Sequence, residues 1–228
     1  MEPFTLRCRP SGRRRRRETR RAALLVAIAI LALAPPGQAQ GTDPIERAAA
    51  SRARGREDAP VLVYEIADFQ CPFCARFSRE VFPRLDSAYV QEGDVQWVFV
   101  NLPLPNHPRA WAAAEAALCA GAVADAFWTL HDRLFNGRDE WSEAPDPLEV
   151  FMRYAEEAGI PIEPFRECIV TDLVAPLLLK DIIFAASSRL SGTPTFVIDQ
   201  ERVIVGHRSY EEWQEILGEA LRKKAKRP

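Results

Sequence analysis

Two distinct periodicities divide the body of this chain. Val61 to Ile66 is a short β-rich run, which reads as a buried strand. From Pro72 to about Val90 the apolar residues Phe77, Val81, Leu85 and Ala88 recur on one face of a helix. Pro83 interrupts that pattern, so a kink is expected there. Gly93-Asp94 reads as a turn and Val95 to Val100 as a second strand. Strand, helix, strand is a β-α-β unit, which implies parallel strands and a right-handed crossover.

A long helical stretch follows. One helix is expected from Asn106-His107-Pro108, with Pro108 suited to its first turn, through Trp111 and Cys119 to Gly121. A second covers about 122–134, with Phe127, Leu130 and Leu134 inward. Pro147 opens a third that ends at Gly159, and 164–171 and 176–190 make two more. The pattern then reverts to strands: 195–198, a turn at Asp199-Gln200-Glu201, and 202–205 form a hairpin. Ser209 and Glu212 form a capping box for a last helix carrying Trp213, Ile216, Leu217, Ala220 and Leu221 on one face. The expected class is α/β: a mixed central sheet flanked by helices, built from residues 59–105 and 187–228 and interrupted by an all-helical insertion over 106–186.

The N-terminus changes what the rest means. Arg13–Arg17, Arg20 and Arg21 precede 13 apolar residues, Ala22–Ala34; Pro35-Pro36-Gly37 breaks the run, and small residues allow a cut after Ala39. This is the pattern of a secretory signal peptide over residues 1–39. The run is short of the ~20 residues that span a bilayer, although an uncleaved anchor is the alternative. Residues 40–58, polar and alanine-rich, read as a linker or N-terminal arm. Residues 1–39 hold 9 of the 30 Lys and Arg and 2 of the 32 Asp and Glu. The remainder therefore has 21 basic and 30 acidic residues, net −9, a poor surface for nucleic acid.

Cys8 falls within the expected leader, leaving Cys71, Cys74, Cys119 and Cys168, an even number suited to an oxidising compartment. Cys71-Pro72-Phe73-Cys74 ends a strand-to-helix connection. There the free N–H groups of the first helical turn stabilise an anion on Cys71, and Cys74 is one turn away to resolve a mixed disulfide. Pro72 has no N–H to leave unpaired at the first helical position. A zinc site would need two further ligands at compact spacing, and the other cysteines stand 45 and 94 residues past Cys74. No metal and no cofactor are expected.

Glu65-Ile-Ala-Asp-Phe-Gln-Cys-Pro-Phe-Cys, with Ser191-Gly-Thr-Pro-Thr-Phe late in the chain, resembles the DsbA-like branch of the thioredoxin superfamily over about residues 59–221. The resemblance implies a thioredoxin fold with a helical insertion and extracytoplasmic thiol–disulfide exchange through Cys71. It implies that Pro194 is a cis-proline beside the redox pair, that Thr193 and Pro194 dock substrate backbone, and that Glu65 is a buried acid relaying the Cys74 proton. Phe73, assigned with them to substrate binding, departs from the histidine of the family's strong oxidants. A higher Cys71 pKa and a weaker oxidant are therefore expected. Cys119 and Cys168 are expected to form a structural disulfide; two inert core thiols and a second redox pair are the rival readings. Some DsbA-like relatives carry a similar second bridge.

The expected activity is a disulfide oxidoreductase that forms disulfides in exported proteins in the periplasm or an equivalent compartment. Reductase, isomerase, chaperone-like module and zinc module are the alternatives. The expected partners are reduced or unfolded exported proteins and a membrane redox protein that recycles the Cys71–Cys74 pair. A dimerisation segment is not recognisable, so a monomer is expected.

Overall fold

The computed structural model describes residues 43–190 and 192–226. The signal peptide expected over residues 1–39, Cys8 within it, and Ser191 lie outside the described residues. The elements run α1 (Pro44–Ser51), β1 (Ala53–Arg54), β2 (Val61–Ala67), α2 (Pro72–Glu80) and α3 (Phe82–Leu85), which passes into a π-helical turn (Asp86–Val90). Then come β3 (Val95–Asn101), α4 (Ala110–Ala124), α5 (Phe127–Asn136), α6 (Arg138–Glu143), α7 (Pro147–Glu157), α8 (Ile162–Val170) and α9 (Ala175–Ser187). β4 (Thr195–Ile198), β5 (Arg202–Val205) and α10 (Tyr210–Ala225) close the described chain.

The five strands form one mixed sheet in the order β1-β3-β2-β4-β5. β2 and β3 are parallel, from Val61 opposite Val95 to Ala67 opposite Asn101; β4 runs antiparallel to β2, and β5 to β4. Side chains alternate across a strand, so Val61, Val63 and Glu65 point to one face. That face packs Phe77, Trp97, Phe196 and Trp213 into a core beneath α2 and α10. Ile66, Val100 and Val197 pack on the other face against Ala185 of α9. The expected α/β class, with a helical insertion between the two halves of the sheet, is the observed architecture.

α4 is the hub of the insertion. It is apolar on all sides and most of it is buried, as for a helix surrounded by others. Its core continues through Phe127, Phe135, Trp141, Phe151 and Phe165 to Phe69, Cys71 and Cys74. The insertion and α2 thus share one hydrophobic cluster. His131 is buried there among Phe69, Phe99, Trp128 and Phe135, and burial holds its pKa below the ordinary value. This buried histidine has a packing role, with Nδ1 paired to Asp132 at 2.8 Å.

Several boundaries differ from expectation. Of the stretch read as a linker or N-terminal arm, residues 43–58 form a packed arm: Asp43 caps α1 through its side chain, and α1 packs on α4. A Cβ on Gly121 would come within 3.0 Å of Ser51 Cβ, so the glycine expected to end a helix instead admits α1 against the last turn of α4. β1 then pairs with the edge of β3, and Arg52 bonds the buried Asp181, whose Oδ2 also accepts the Asn101 N–H at 3.0 Å. The helix expected over 72–90 is broken at Val81 rather than kinked at Pro83. Pro83 lies in the first turn of α3, where a missing N–H costs nothing, so the break falls two residues earlier. Pro108 precedes α4, which begins at Ala110 and ends at Asp125 in a left-handed conformation (φ 53°). α6 was not expected.

Candidate redox site

Cys71 is the N-cap of α2, with Pro72 at its first position. Its N–H donates to the Asp68 carbonyl at 3.1 Å, and its own carbonyl accepts the Ala75 N–H at 3.1 Å. Both thiols are free; Cys71 is 4% exposed and Cys74 fully buried. Across from them the Thr193-Pro194 peptide is cis, and the Cys71 Sγ donates to the Thr193 carbonyl at 3.5 Å. The Pro194 carbonyl accepts the Gly206 N–H at 2.8 Å, which ties this loop to the end of β5. Phe73 stands 55% exposed beside the sulfurs. The structure therefore brings Cys71, Cys74, Phe73, Thr193 and Pro194 together at one end of the sheet.

The two thiols are electrostatically unlike. A hydrogen bond from the Cys74 thiol is the largest influence holding Cys71 down, to about 5. Burial opposes it, while the Thr193 side chain and the N–H groups of Cys74 and Phe73 add to it. Cys74 is pushed well above the ordinary thiol range, first by burial, then by its hydrogen bond to Cys71 and by the charge there. One sulfur is thus prepared as an anion and the other as its proton-bearing partner.

Glu65 lies on the α2 face of β2 and is 1% exposed. Its Oε2 accepts the Trp97 indole N–H at 2.8 Å, and its buried Oε1 has no protein partner. Burial pushes its pKa up to about 8, so the carboxyl is neutral at pH 7. Its charge, once formed, raises Cys74 further. The unfolded carboxyl ionises near 4.5, so the folded state holds its proton longer. The Glu65 contribution to stability therefore declines as pH climbs from about 4.5 to about 8, by up to about 1.4 kcal/mol per pH unit, and is constant outside that window. Glu65→Gln keeps an acceptor for Trp97 and is expected to abolish that decline. Urea unfolding of both proteins in one redox state, inside and outside the window, measures it; parallel curves would refute the assignment.

Cys119 and Cys168 are bonded to each other, with Cα atoms 5.8 Å apart, joining α4 to α8. Both are buried and remote in sequence from the CPFC segment. Among the described residues, no group of three or more His, Cys, Asp or Glu is arranged to hold a metal ion, and no helix is long and apolar enough to cross a membrane.

Three residues at the site carried no role in the sequence reading. Asp68 is buried and accepts N–H groups from Gln70 and Leu104. Gln70 and Arg138 meet through the Gln70 carbonyl. Only Asp68 had a visible signal, an Asp two residues before an N–H it can cap at the end of a strand.

A thioredoxin-type sheet, a dithiol at the first helix and a cis-proline opposite it define a thioredoxin-fold dithiol protein. The thioredoxin family model matches residues 47–219, and the chain belongs to that family, in its DsbA-like branch. It is 28% identical over 171 residues to disulfide bond formation protein D of Bacillus subtilis, covering 75% of this chain and 77% of that one. It is 38% identical over 150 residues to Na(+)/H(+) antiporter NhaA 3 of Salinispora tropica, covering 65% of this chain. The chain spans only 22% of that antiporter's length. Among solved structures, oxidised BdbD of Bacillus subtilis superposes with a TM-score of 0.68 at 26% identity, over 75% of this chain and 92% of that one. Wolbachia pipientis alpha-DsbA1 shares the fold at 0.66 and 23% identity, over 76% and 92%.

Proposed function

We propose that this chain is an extracytoplasmic protein thiol–disulfide oxidoreductase that forms disulfides in exported proteins through Cys71 and Cys74. The observation that carries the proposal is the pair of unlike sulfurs at the start of α2, facing a cis Thr193-Pro194 bond. In the oxidised protein a substrate thiolate attacks the Cys71 sulfur. The Cys71–Cys74 bond breaks, and Cys74 leaves with the electron pair and takes up a proton. A second substrate thiolate then attacks the substrate's own sulfur in the mixed disulfide, and Cys71 leaves as a thiolate. Two electrons have passed from the substrate dithiol to the pair.

Magnitudes favour this direction. At neutral pH a pKa near 5 raises the thiolate fraction of Cys71 roughly thirtyfold over an ordinary thiol. The accompanying loss of intrinsic nucleophilicity, with a Brønsted slope of about 0.4–0.5, cancels most of that gain. What survives is the improved leaving group, which serves an oxidant. Neutral, buried Glu65 supplies a proton to the departing Cys74 sulfur. The exposed Phe73 and the Thr193-Pro194 backbone receive an extended, reduced segment of substrate. The basic and apolar N-terminus supports export, and a membrane redox protein would reoxidise the pair. The protein works as a monomer in this reading.

The test is oxidative refolding of a reduced substrate, with the potential of the pair set against glutathione. Phe73 in place of a cationic partner leaves Cys71 less acidic than in DsbA. The expected potential therefore lies between those of DsbA and thioredoxin, about −120 and −270 mV. A value at or below that of thioredoxin would assign the protein to reduction instead.

A further inference from the structure

Gln70, the residue before Cys71, is held from three directions. Its N–H donates to Asp68 Oδ1 at 2.7 Å, its side-chain Oε1 accepts the Arg109 N–H at 2.9 Å, and its main-chain carbonyl accepts Nε of Arg138 at 2.9 Å. Asp68 is itself anchored: its fully buried carboxylate accepts the Leu104 N–H and faces Nδ1 of His107, both at 2.8 Å. Its carbonyl takes the Cys71 N–H. Asp68 and Gln70 lie in the loop leaving β2. Leu104, His107 and Arg109 lie just before α4, and Arg138 opens α6. Among the described residues, the hydrogen bonds that hold Asp68 and Gln70 from outside their loop therefore come from the segment leading into the helical insertion and from the insertion itself.

Resting on the function proposed above, we propose that Asp68 and Gln70 are positioning residues: through them His107, Arg109 and Arg138 hold Cys71 in register with the N-terminus of α2. The physical reason is directional. The anion at Cys71 depends on N–H and S–H groups that already point at its sulfur, and hydrogen bonds weaken steeply when misaligned. Slack in the preceding residue can only reduce that stabilisation, so releasing the grip moves the thiolate in one direction. An Arg guanidinium on a neutral carbonyl is also a charge-assisted bond, stronger than the loop would obtain from a neutral donor. The helical insertion thereby acts on the redox chemistry without touching the reacting atoms.

The experiment titrates the Cys71 thiolate by its absorbance in the reduced full chain, in Arg138→Met, in Gln70→Ala and in the double variant. Each single change removes one grip while leaving Cys71, Cys74 and the cis peptide in sequence. Each is expected to raise the midpoint by at least about half a pH unit, a threefold loss of thiolate on the rising limb. The double variant is expected to fall short of the sum, because both act through one loop. Melting temperatures distinguish positioning from mere stability: the midpoint moves even where melting does not. Unchanged midpoints in both singles, whatever happens to melting, would overturn the proposal. If the parent protein itself titrates near 8.5, the redox reading fails first, and the positioning role falls with it.

Discussion

Cys71→Ser is expected to abolish catalysed oxidative refolding, leaving only the uncatalysed rate, whereas Cys74→Ser is expected to accumulate a mixed disulfide with substrate. The asymmetry follows from the two environments. In the proposed mechanism Cys71 carries the anion and is the sulfur that exchanges with substrate, and it lies opposite the Thr193-Pro194 backbone. A serine hydroxyl there neither ionises near neutrality nor forms a disulfide, so the loss is complete rather than graded. Cys74 is fully buried and holds its proton, so it waits behind the first sulfur. Without it the protein still attacks a disulfide through Cys71, and the intermediate has no internal thiol to resolve it. Non-reducing gels with a disulfide-containing substrate read both results. Retained turnover in Cys71→Ser would refute the assignment of roles.

Removing the Cys119–Cys168 bond by a double change to alanine is expected to cost roughly 4 kcal/mol of stability without changing the potential of Cys71–Cys74. The bond closes a span of 49 residues, and the chain-entropy model assigns a constraint of that length about 4 kcal/mol. Two buried sulfurs are also deleted from the core around α4. That adds a cavity contribution of the same sign. Denaturant unfolding of the two forms measures the loss. A shift in the potential of the pair, with stability unchanged, would reverse the reading and give the second bridge a redox role.

Much of this arrangement is legible in the amino-acid sequence. The hairpin over 195–198 and 202–205 and the capping box at Ser209 and Glu212 stand where the alternation and the cap chemistry put them. Both signals are local: a period of two, and a side chain reaching three residues along. The redox tetrapeptide was equally visible, because proline at the first helical position and a cysteine before it have a mechanical meaning at that spacing. What escaped notice is non-local. The arm over 40–58 has mostly alanine to bury, and its burial depends on Gly121, some seventy residues away, leaving room for it. β1 is two residues long and exists only because the edge of β3 accepts it. The Gln70 carbonyl, gripped by Arg138 far along the chain, is a main-chain acceptor and has no side-chain signature. The break at Val81 escaped for a different reason. A proline inside an apolar period reads as a kink, whereas here it starts a new helix.

The burial of Glu65 shows where sequence and environment diverge. A glutamate in a strand reads as an edge charge or as a buried acid with equal ease. Its partner, Trp97, lies on the neighbouring parallel strand and becomes visible only once the register is known.

The whole account turns on the ionisation of one sulfur, and a pH titration of thiolate absorbance in the reduced protein measures it directly. The account predicts a transition with its midpoint near 5, lost in Cys71→Ser, with the Cys74 thiol remaining protonated well beyond neutrality. A single transition near 8.5, the value of an unperturbed cysteine, would contradict it.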